Sequence, residues 1–147
     1  LVYNYRLTDI QAALGISQLD RLDEIVSKRN LIHLNYKEFL RKLPLFHQKI
    51  SDGITSSMHL HILQIDLNEV NVSRKQIFSK LRSLGVGVNV HYIPIVRQPF
   101  YRDLGFTMAD YPNAELYYSR CITIPLFPEL TLEQQSYVAN SVKLALE

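Results

Sequence analysis

The sequence predicts a small α/β domain: one mixed or antiparallel sheet of about three strands with helices packed on it, behind a long N-terminal helical arm. Three observations predict it. A Ser or Thr followed three residues later by Gln occurs at Thr8 with Gln11, Ser73 with Gln76 and Thr131 with Gln134. Each pair can form a capping box, in which two side chains satisfy exposed amide groups at a helix start. Residues 86–92 alternate apolar and polar, with Val86, Val88, Val90 and Tyr92 on one face and Gly87, Asn89 and His91 on the other. After residue 55 the order reads strand, helix, strand, helix, strand, helix.

The elements follow in order. From Thr8 to about Leu43 apolar residues keep a helical period, at Ile10, Ala13, Leu14, Leu19, Leu22, Ile25, Val26, Ile32, Tyr36, Phe39 and Leu40. One straight helix of that length would measure ~54 Å, too long for so small a domain. A break is therefore expected near residues 17–20. Pro44 closes the run, so residues 1–43 form the arm and 44–147 the small domain. Residues 58–67 read as a strand. Residues 74–84 read as a helix with Ile77, Phe78, Leu81 and Leu84 inward and Gly85 as its stop. Residues 86–92 read as a strand. Pro94, Pro99 and Pro112 make 94–112 an ordered loop with a short turn at 101–104. Residues 113–120 read as a helix, and 122–126 as a strand ending at an edge at Pro125. The last helix is 131–146, with Val138, Val142 and Ala145 on one stripe.

Composition narrows the function. The chain has 147 residues, enough for one core. Its 16 basic and 14 acidic residues leave a net charge of +2, too balanced to argue for nucleic acid. The single cysteine, Cys121, excludes an internal disulfide and fits a reducing, cytoplasmic setting. No apolar run approaches the ~20 residues of a membrane span, and no signal-peptide pattern opens the chain. A first residue of Leu1, almost inside a motif, predicts a piece of a longer protein.

The candidate chemistry is sparse. Asn4, Tyr5 and Arg6 stand just before a helix start, where unpaired amides and the helix dipole favour an anion. The planar fork of Arg6 suits phosphate or carboxylate; the alternative is a plain pairing of Arg6 with Asp9. His59 and His61 share a strand face and with His91 could ligate zinc; Leu63 and Ile65 on that face argue for burial instead. His91 points away from the valine face beside Gly87, where it can meet a ligand or simply face solvent. Tyr92 lies on the valine face, which predicts a core ring with its hydroxyl at the boundary. Cys121 reads as a buried structural thiol, and Tyr111, Tyr117 and Tyr118 as packing. Arg74, Lys75, Lys80 and Arg82 form a solvated helix face or a surface for an anionic partner such as RNA. No nucleophile elbow, P-loop, dinucleotide fingerprint or zinc-protease motif is present.

Three blocks resemble one family. They are the run from Asn4 to Gly15 with Gln18, Leu19 and Arg29; the run from Gly87 to Pro94 with Gln98-Pro99-Phe100-Tyr101 and Leu104-Gly105; and Pro112-Asn113-Ala114-Glu115 with Ile124-Pro125-Leu126-Phe127-Pro128, Thr131 and Glu133-Gln134-Gln135. In this order and spacing they resemble the C-terminal part of DegT/StrS-type sugar aminotransferases, nearest to those of the pseudaminic-acid pathway that act on a UDP-linked 4-keto sugar. The resemblance implies the aspartate-aminotransferase fold, pyridoxal phosphate as cofactor, glutamate as amine donor and a homodimer, with neither nucleic acid nor membrane as partner. It implies that the Schiff-base lysine lies upstream, on an N-terminal large domain, so that this chain holds no catalytic residue and is inactive alone. It implies that Asn4 and Arg6 hold the cofactor phosphate, Asn4 across the dimer interface, and that Tyr5, His91 and Tyr92 border the sugar-nucleotide pocket.

Overall fold

The computed structural model describes residues 5–147. All three Ser/Thr-Gln pairs form capping boxes. At Thr8 the amide of Gln11 donates to the hydroxyl at 3.3 Å while the Thr8 amide donates to the Gln11 side chain at 2.9 Å. These boxes open α1 (Asp9–Leu19), α3 (Arg74–Ser83) and α6 (Leu132–Leu146). The expected break falls between α1 and α2 (Leu22–Phe39). Gly85 ends α3 at a φ of 77°, a left-handed geometry that costs glycine little.

The two helices of the arm differ in burial. On α2, Ile32, His33, Tyr36 and Leu40 just beyond its end are buried in the core. α1 has no buried residue, and Ile10, Leu14 and Leu19 are 84%, 62% and 67% exposed.

The sheet is antiparallel, in the order β1 (Leu45–His47), β2 (His61–Ile65), β3 (Cys121–Ile124). Leu45 pairs with Ile65, and His61 with Ile124. The three-stranded sheet is as expected, but one member differs. Residues 86–92 touch the sheet through a single bridge, Asn89 with Thr123. Their alternation reflects burial alone: Val86 and Val88 are 3% and 5% exposed, yet the backbone makes no ladder. The third strand is instead β1, three residues long directly after Pro44, which pairs with β2 on the opposite edge of the sheet and is too short to show a period. The expected strand 122–126 stops at Ile124, before the proline that lacks an amide donor. The loop 94–112 is more regular than expected, with turns of 3-10 helix at Ile95–Arg97 and Met108–Asp110 around a short helix, α4 (Pro99–Asp103). α5 (Pro112–Arg120) runs directly into β3.

The core lies where α2, α3 and α6 cover the sheet. Leu63, Ile65, Ile122 and Ile124 meet Ile77 and Leu81 of α3 and Val138, Val142 and Ala145 of α6. Tyr36 is fully buried, and its hydroxyl donates to the Pro125 carbonyl at 3.0 Å, tying α2 to the chain beyond β3.

Candidate functional site

His91 is the best-positioned polar side chain of those expected to act. It leaves the sheet two residues after the Asn89–Thr123 bridge, so β3 places its anchor. His91 Nδ1 lies 2.8 Å from Thr123 Oγ1. The side-chain oxygen Oδ1 of Asn89 accepts from the Val90 backbone amide at 2.7 Å, which leaves the side-chain nitrogen Nδ2 3.4 Å from His91 Nε2. With the Asn89 amide donating there, Nε2 is the acceptor and the ring proton sits on Nδ1, directed at Thr123. The backbone is held as well: Tyr117 donates its hydroxyl to the His91 carbonyl at 3.1 Å, and Cys121 Sγ lies 4.0 Å from the same oxygen. Burial pushes both the Tyr117 phenol and the Cys121 thiol up; Arg74 partly offsets the rise at Cys121. Cys121 is thus a buried free thiol.

Tyr92 corrects the expectation of a core ring. It is 70% exposed, with its ring edge-on to His91 at 4.4 Å between centroids. The alternation stops at Val90 because pairing stops at Asn89; the backbone beyond it turns out of the sheet. Tyr117 and Tyr118 likewise do more than pack, the first through the His91 carbonyl and the second through two guanidinium groups.

Asn4 lies outside the described residues. Tyr5 is 91% exposed and Arg6 is exposed, both just ahead of α1. Among the described residues Arg6 makes no ion pair with Asp9, so the plain alternative is not adopted.

The histidine trio expected for zinc does not assemble. His59 is exposed, and His91 is bound to Thr123. His61 is buried against α2, its Nδ1 3.2 Å from Nδ1 of His33 and its ring 4.9 Å from Tyr36 and 5.8 Å from His47. Among the described residues no group of side chains is arranged to hold a metal ion. Burial holds His33 and His47 below the usual histidine range and pushes His61 down to about 3. This cluster escaped the sequence reading because its members come from α2, β1 and β2. Thr123 and Tyr117 escaped it for the same reason: only folding brings them to His91.

Residues 1–143 match the DegT/DnrJ/EryC1/StrS aminotransferase family. The chain is 35% identical, over its whole length, to a UDP-4-amino-4,6-dideoxy-N-acetyl-beta-L-altrosamine transaminase of Campylobacter jejuni, of which it covers 39%. It is 33% identical over 96% of its length to the spore coat polysaccharide biosynthesis protein SpsC of Bacillus subtilis, covering 37% of that protein. Among solved structures, PseC of Helicobacter pylori, an aminotransferase involved in the biosynthesis of pseudoaminic acid, superposes with a TM-score of 0.88 at 30% identity, over 98% of this chain and 38% of that one. The PLP-form of a putative sugar aminotransferase of Streptococcus pneumoniae gives 0.88 at 30% identity, over 95% of this chain and 36% of that one. The chain thus spans less than two-fifths of the length of these relatives. The fold shared with these solved structures and the family match over residues 1–143 agree: this chain belongs to the DegT/DnrJ/EryC1/StrS aminotransferase family.

Proposed function

We propose that this chain is the C-terminal part of a pyridoxal-phosphate-dependent nucleotide-sugar aminotransferase, which moves an amino group from glutamate to a UDP-linked 4-keto sugar. The family match over residues 1–143 carries the reading. The exposed apolar face of α1 supports it, because Ile10, Leu14, Ile16 and Leu19 bury nothing within this chain and need cover from elsewhere. That cover is the large domain that precedes the arm and the second subunit of a homodimer.

The residues at hand fit the cofactor's phosphate. Arg6 presents an exposed guanidinium that Asp9 does not neutralise, next to a helix start. Asn4 adds an amide donor from the arm. Pyridoxal phosphate, when bound, supplies the electron sink for amino transfer; no group of this chain replaces it. The work of these residues is to bind and orient. Arg6 and Asn4 fix a phosphate, and Tyr5 lines the same approach. His91, held through Nδ1 by Thr123 and met at Nε2 by Asn89, presents a fixed ring with Tyr92 as a wall for the sugar nucleotide. Such preorganisation places the reacting carbon without a reorganisation cost in the reaction itself.

The test is amino transfer by the intact protein. Glutamate and a UDP-linked 4-keto sugar yield the amino sugar and 2-oxoglutarate, and residues 1–147 alone yield none. Failure of the intact, cofactor-loaded protein to convert any nucleotide-linked keto sugar overturns the reading.

A further inference from the structure

We propose that the cleft beside the His91 segment, between α3 and α5, holds the diphosphate of a nucleoside-diphosphate ligand, with Arg74 as its principal contact. The cleft is about 440 Å³ and is lined by Arg74, Lys75, Phe78, Asn89, Ile93 and Tyr118. The guanidinium of Arg74 lies 4.8 Å from the centre of the Tyr118 ring, a distance at which the ring's electron-rich face attracts the cation. That contact limits the motion of Arg74 and leaves its in-plane N–H groups unused, since no hydrogen bond or ion pair engages them among the described residues.

The nearby carboxylate is already taken. Arg97 stands on the same ring at 5.2 Å and donates to both oxygens of Glu115 at 2.6 Å. Glu115 therefore neutralises Arg97 and not Arg74. Arg74 and Lys75 leave two uncompensated positive charges at the cleft, which match the two negative charges of a diphosphate better than the single charge of a carboxylate. Phe78 and Ile93 provide apolar wall for the organic part, and Tyr118, already stacked by guanidinium, is not available to a base.

The choice of a nucleotide rests on the transaminase reading; the anion contact rests on the geometry alone. Isothermal titration of the intact protein with UDP and with inorganic pyrophosphate tests it. Arg74→Gln is expected to weaken UDP about tenfold or more, and Arg74→Lys by less, because it keeps the charge but not the fork. Lys75→Gln gives a smaller loss. UDP affinity unchanged in a folded Arg74→Gln protein overturns the proposal. Pyrophosphate weakened with UDP unaffected also overturns it, since the cleft then serves free diphosphate only. Should Arg74→Gln unfold, Arg74→Lys decides by the same criterion. Absent amino transfer with Arg74-dependent UDP binding intact strikes the transaminase reading alone; intact transfer with Arg74-independent UDP binding strikes this proposal alone.

Discussion

At the scale of single residues, His91 shows how a weak sequence signal becomes a positioned group. Its exposure beside Gly87 left binding and plain solvation equally open. Thr123 Oγ1 at 2.8 Å and the Tyr117 hydroxyl on its carbonyl at 3.1 Å hold ring and backbone separately. Thr123→Val keeps the shape of the strand residue and removes the hydroxyl. The variant is expected to lose about 1 kcal/mol of stability and the slowly exchanging Nδ1 proton of His91. Urea denaturation and the imidazole proton signal in NMR check the two effects. Retention of that signal would mean that Thr123 does not orient the ring. Arg74 is the converse case: its place on a helix read either as a solvated charge or as part of a surface for an anionic partner, and Tyr118 from α5 gives it a fixed direction.

Between elements, the same capping sequence has different consequences. Thr8 and Thr131 make equivalent boxes, but α6 buries Val138, Ala139, Val142 and Ala145, whereas α1 buries nothing. Thr131→Ala is therefore expected to lower global stability by about 1 kcal/mol. Thr8→Ala in this chain leaves the global transition in place and speeds amide exchange in α1 only. Hydrogen exchange with a denaturant titration separates the two. The joint between α2, β1 and β2 is sensitive to acid. Burial lowers the pKa of His33, His47 and His61 in the folded state; Lys37 adds to the effect at His33 and His47, and the histidines act on one another. The unfolded chain then binds more protons than the folded one. Stability is complete above the ordinary histidine pKa of about 6.5 and falls as pH drops toward 3. At pH 5 the loss from His61 alone is roughly 2 kcal/mol. Urea midpoints at pH 7.5 and pH 5 test this; His61→Phe reduces the difference between them if the cluster is its source.

For the molecule as a whole, the exposed face of α1 is the feature that calls for a neighbour. Leu14→Lys is expected to leave the fold of residues 5–147 unchanged, since Leu14 is 62% exposed. On the proposed reading α1 is covered by the large domain and a second subunit, so the same change in the intact protein is expected to cost the dimer in sedimentation together with amino transfer. A normal dimer with full activity would remove α1 from the interface. Much of the architecture was legible in the residues. The three capping boxes, the break before α2, the glycine stop of α3 and the apolar stripe of α6 are local matters, set by contacts within a few positions of the chain. The family blocks were legible too, as ordered motifs. What the residues by themselves could not state was pairing. Alternation over 86–92 reported the burial of Val86 and Val88 but not the exposure of Tyr92, and a strand also needs a ladder for its amides: this segment bridges β3 at Asn89 alone, while the third strand is the short segment after Pro44 on the opposite edge. The anchoring of His91, the meeting of His33, His47 and His61, and the stacking of Arg74 on Tyr118 each join residues far apart in the chain. Their geometry was decided only when the sheet closed under α2, α3 and α6, because contact between distant residues depends on where the whole backbone goes.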